Sequence, residues 1–162
     1  MRKRSVTLKT GVLVLCTVAA GWVGAQNVFY QTPLPLMAGQ NTTIGQVACG
    51  VDPSNEYRGN CRARTVPGWC LVKAHLYVGA RDPGSMAPGQ FPFHGEPGGC
   101  VADLTVSFLS TTACVGQPLK VAFHAEARQP SAGREETAWA QGTQTGANWS
   151  MAFELPCRPI ND

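Results

Sequence analysis

Histidine is the side chain best suited to move a proton or bind a transition metal near neutral pH, and the chain holds three. His75 lies in LVKAHLYVGA (residues 71–80), His124 in PLKVAFHAEA (118–127) and His94 in FPFHGEPGG (91–99). Imidazole nitrogens and carboxylate oxygens are common ligands of zinc and copper. His75 and His124, completed by Glu126 and Glu136, are therefore the candidate metal set. The set assembles only if the two histidines stand on neighbouring strands of one sheet. Otherwise each is a surface histidine bonded to local partners, and His94 is a solvated loop residue. Spacing adds no support, because no HExxH motif occurs.

Catalytic patterns are absent from the sequence. There is no GxSxG elbow and no glycine-rich loop with phosphate-cradle spacing. Asp103, Glu126, Glu135, Glu136 and Glu154 are too scattered to nominate a glycosidase pair. No catalytic residue and no cofactor are assigned, and a non-enzymatic role is expected. The aromatic residues give a better lead. Trp69 and Trp139 are the candidates, and Trp139 lies among amide and hydroxyl side chains in ETAWAQGTQTGAN (residues 136–148). Indole faces stack on the C–H patches of sugars while amides bond hydroxyls. Trp69, Trp139, Gln141 and Gln144 are the candidate glycan ligands; alternatively the two tryptophans cover sheet edges. Alternation places Trp149 in the core. The loop GQFPF (residues 89–93) is either a second contact surface or a hydrophobic flap.

These residues need a frame, and the frame is β. No segment keeps a helical period for three turns, whereas several alternate with a period of two. IGQVACGV (44–51) reads as a strand, DPSNEYRGN (52–60) as a turn-rich joint and CRARTV (61–66) as the returning strand. In CLVKAHLYVG (70–79), Cys70, Val72, Ala74, Leu76 and Val78 share one face, and Leu71, Lys73, His75 and Tyr77 the other. Residues 81–99 read as a long ordered loop. VADLTVSFL (101–109) turns Ala102, Leu104, Val106 and Phe108 inward. PLKVAFHAEA does the same with Leu119, Val121, Phe123 and Ala125. QPSAGREE (129–136) is a polar connection, and NWSMAFELPC (148–157) closes the fold. Short strands with turn-rich joints predict an all-β, antiparallel β-sandwich, with a small β-barrel as the alternative.

The first residues, MRKRSVTLKTGVLVLCTVAAGWVGAQ, have a cationic start, a short apolar stretch and small residues before Gln26. That is the layout of a secretory signal peptide over residues 1–25. Residues 26–157 then form one secreted domain and 158–162 a short tail. Removing the leader lowers Lys and Arg from thirteen to nine against ten Asp and Glu, a formal charge of −1. Such a chain lacks the electrostatic footprint of a nucleic-acid binder, and no second stretch is long and apolar enough to span a bilayer. Cys16 leaves with the signal. Cys49, Cys61, Cys70, Cys100, Cys114 and Cys157 remain, an even set that reads as three disulfides. Cys49 and Cys61 flank the first hairpin and are expected to pair. Cys100 and Cys114 bracket an extended strand and are not. Asn41 (NTT) and Asn148 (NWS) are sequons, glycan acceptors in a eukaryotic secretory route.

AGQ (38–40), HLYVG (75–79), PGQFPF (88–93) and ETAWAQG (136–142), followed by Trp149, stand in an order that resembles small exported β-rich domains of unassigned function in microbial secreted and surface proteins. The resemblance implies an extracellular domain and nothing catalytic. The expected role is a secreted, non-catalytic surface or matrix protein that binds glycans. The alternatives are an exported metal protein or enzyme built on His75 and His124, and an inhibitor or effector that binds another protein, in which residues 88–93 matter most.

Overall fold

The computed structural model describes residues 29–145 and 149–157. The leader, Asn148 and the tail at 158–162 lie outside the described residues. Eleven strands follow one another: β1 (Phe29–Tyr30), β2 (Leu34–Ala38), β3 (Thr42–Asp52), β4 (Asn55–Thr65), β5 (Cys70–Gly79), β6 (Phe93–Gly95), β7 (Asp103–Leu109), β8 (Leu119–Gln129), β9 (Arg134–Ala140), β10 (Thr143–Gln144) and β11 (Met151–Leu155). The only helical elements among the described residues are 3₁₀ turns at Pro88–Gln90 and Pro130–Ala132. No helix there is long and apolar enough to cross a membrane.

The all-β antiparallel architecture expected from the alternation is present, as one sheet nearly closed into a barrel. The path runs β8–β9–β2–β3–β4–β7, with β5 on the other edge of β8, and β11 continuing the β9 side along the first residues of β8. Sandwich and barrel differ in whether the outermost strands meet. Here β5 and the residues before β7 are joined by a bridge, in which Leu71 N donates to Val101 O at 2.7 Å and Val101 N to Leu71 O at 3.0 Å. Joining the edges satisfies backbone groups that an open sheet leaves bare. The Cys70–Cys100 disulfide lies beside this seam. Cys49 and Cys61 pair directly opposite each other across β3 and β4, as expected, and Cys114 bonds Cys157. Three disulfides indicate an oxidising environment.

The interior is filled by Leu36, Ile44, Leu76, Val121, Phe123 and their neighbours, all essentially inaccessible. Several local readings need correction. The 52–60 joint is a tight turn at Pro53–Ser54, because Asp52 Oδ1 accepts from Ser54 N and Oγ at 2.8 and 2.6 Å and closes the chain early. A β-bulge between Leu71 and Lys73 shifts the alternation of β5. Leu71, assigned to the outer face, is therefore fully buried in the core, while Val72 is not. Ala102 precedes β7 and is exposed. The polar connection ends at Gly133, and β9 takes over Arg134–Ala140.

Candidate functional site

Register brings the chemistry-bearing residues into one row. His94 on β6 lies opposite His75 on β5, His75 opposite His124 on β8, and His124 opposite Trp139 on β9. Strand alternation alone could not show this, because which strands become neighbours, and in which register, is decided by the fold; His75 and His124 are 49 residues apart. Neither His75 nor His124 is a surface residue: they are 5% and 7% exposed. His94 is exposed and belongs to a short strand, not a loop.

Contacts within the row are close. His75 Nδ1 is 3.0 Å from His94 Nδ1, so one imidazole donates and the other accepts. The His75 and His124 ring centres are 5.7 Å apart, and His124 meets Trp139 edge to face at 4.8 Å. Lys73 pairs with Glu96 at 2.8 Å, and Glu126 Oε1 stands 3.9 Å from His75 Nε2. Burial pushes the His75 pKa down, with help from His94 and Lys73 and against the pull of Glu126 and Glu96. Burial, and then the charge of His75, push His124 down to about 4. Desolvation disfavours the cationic form, so His124 is neutral at neutral pH. Its Nδ1 is buried without a hydrogen-bond partner among the described residues.

The metal set comes together only in part. His75, His124 and Glu126 share a face, but Glu136 falls opposite Ala127, one residue out of phase with the row, and pairs with Arg134 at 2.7 Å. Among the described residues no group of three or more His, Cys, Asp or Glu is placed to hold a metal ion.

The row leads into a groove. Residues after Tyr77 fold back over this side of the barrel: Tyr77 Oη donates to Arg81 O at 2.9 Å, and Phe91 is buried against Tyr77 and Trp139. GQFPF is thus a flap held down by Phe91, while Phe93 packs toward the core beside Phe108. Between residues 84–88, just ahead of this flap, and Trp139, Thr145, Trp149 and Ser150 runs a half-open groove of about 670 Å³, with Gln40 and Ser85 adding polar groups to its lining. Among the described residues no ionisable side chain lines it. The two indoles stand nearly perpendicular, at 76° with centres 6.3 Å apart. Trp139 is only 6% exposed; Trp149 is half-buried.

The four candidate glycan ligands therefore separate. Trp139 lines the groove and Gln144 lines an adjoining hollow. Gln141 is exposed outside both, its backbone N–H bound to Pro35 O at 2.8 Å. Trp69 packs against the main core, with the Arg134 guanidinium 5.9 Å from its ring. Trp149, read as core, packs instead with Trp139 in a second apolar cluster outside the barrel. The missed residues are Trp149, Gln40, Thr145 and Ser150. Their sequence signals were weak: Gln40 ends AGQ (38–40), Thr145 lies in the polar run of ETAWAQGTQTGAN (136–148), and Trp149 and Ser150 stand together in NWS (148–150). Asn41 is exposed in the β2–β3 turn. No family model, no curated protein and no solved structure matches this chain.

Proposed function

We propose that this is a secreted, non-catalytic protein that binds an extracellular glycan in the groove between Trp139 and Trp149. One observation carries the reading: two nearly perpendicular indoles meet in a groove whose polar side chains among the described residues are one amide and three hydroxyls, with no charge. A sugar ring has the matching chemistry, with apolar C–H faces and a hydroxyl rim. The histidine row acts beneath the site. His124, neutral and packed edge-on against Trp139, fixes the indole from one side, and Phe91 fixes it from another. A preformed platform loses less side-chain freedom on binding.

The test is a glycan-array screen of the oxidised protein, with metal content read from the same preparation. Selective sugar binding that Trp149→Ala weakens at least about tenfold is the expected result, the scale of a central aromatic contact. Stoichiometric zinc or copper without sugar binding would overturn the reading and move function to His75 and His124.

A further inference from the structure

A second hollow, of about 400 Å³, adjoins the Trp139–Trp149 groove: Gly84 and Thr145 line both, so the two share a rim and together make a two-part cleft. Gly84 has a φ of +61°, a left-handed conformation that suits glycine, where the chain turns along the shared rim. The character of the second half differs. Thr143 and Gln144 supply polar groups, and three ionisable side chains join them: Asp82, Lys120 and Glu154. Lys120 and Glu154 lie directly opposite each other on β8 and β11 and pair at 2.8 Å. Asp82, on the segment between β5 and the flap, acts on the same ammonium through its charge, and both carboxylates favour the charged form of Lys120. One cation against two carboxylates leaves this end with a formal charge of −1.

Building on the reading of the tryptophan groove, we propose that the cleft takes a glycan of at least two residues bearing free amino groups, one sugar on the indoles and the next with its ammonium at Asp82 and Glu154. A carboxylated or sulfated sugar in the second position meets the surplus negative charge. A neutral sugar gains the indole contacts but no charge contact.

Calorimetry on the oxidised full domain tests this with three hexamers: deacetylated chitosan, cellohexaose and oligogalacturonate. One mildly acidic, low-salt buffer keeps the sugar amines charged. Chitosan hexamer is expected to bind about three- to fivefold more tightly than cellohexaose, the scale of an exposed charge pair. Added salt should shrink that ratio, and Asp82→Asn with Glu154→Gln should bring it towards one. Equal binding of chitosan and cellohexaose, tightest binding of oligogalacturonate, or a ratio untouched by the double substitution would overturn the inference while leaving the groove reading in place. Failure of all three hexamers also overturns it; the glycan array then decides separately whether the indole groove binds another sugar.

Discussion

The two sides of the barrel use the same strand geometry differently. On β4 and β7 one face is buried and the other is largely wet. β7 alternates without exception, and the outward residues of β4 include Arg58, Arg62 and Arg64. On β5, β8 and β9 both faces are covered over several consecutive residues: Ala74–Leu76, Val121–Ala125 and Ala138–Ala140. One-sided burial needs only apolar side chains facing in. Two-sided burial also encloses whatever stands between them, here two histidines and a tryptophan. The first side is scaffold, and the second is where sequence pattern and chemistry part company.

Acid should separate the two sides most strongly. The folded His124 is held at about 4, below its unfolded value, so the unfolded chain takes up a proton first as pH falls. The His124 contribution should be full above the unfolded pKa, decline from about pH 6.5 and level off below about pH 4, a loss of about 3 kcal/mol, to which His75, also held down by burial, adds in the same direction. Urea midpoints across that range would show it, and His124→Leu should flatten the curve. A midpoint independent of pH in the parent protein would mean the covered side imposes no cost on charging the histidine.

A smaller effect is expected from Phe91→Ala, which removes the flap's anchor but leaves the interior core intact. The loss should be about 2 kcal/mol, with a red shift in tryptophan emission as Trp139 becomes wet. An unshifted spectrum would show that something other than Phe91 keeps that indole covered. Smallest of all is Asp103→Ala on the one-sided wall. Asp103 accepts from Arg64 Nε and Arg62 Nε, each at 2.8 Å, but the pairs are substantially exposed. Such pairs contribute about 1 kcal/mol or less. A loss well above that in thermal or urea unfolding would make the wet face part of the stabilising structure.

Alternation read from the residues themselves placed Leu104, Val106, Phe108, Leu119, Val121 and Phe123 in the core, since each apolar side chain must find a dry face whatever its partner strand. The turn at residues 53–54 and the bulge after Leu71 were less legible, because one hydrogen bond or one extra residue resets the phase of a whole strand. The Cys49–Cys61 pair was accessible because hairpin register is local. The Cys70–Cys100 and Cys114–Cys157 pairs, 30 and 43 residues apart, depend on which strands become neighbours. The same holds for the site. Composition pointed to His75, His124 and Trp139 separately, but their row, the burial of its histidines and the corner made with Trp149 exist only after β5, β8 and β9 have paired and the flap has closed over them. Local pattern decides which face of a strand is dry. Long-range pairing decides what else is enclosed there, and its energy is spread over contacts that no single stretch of chain contains.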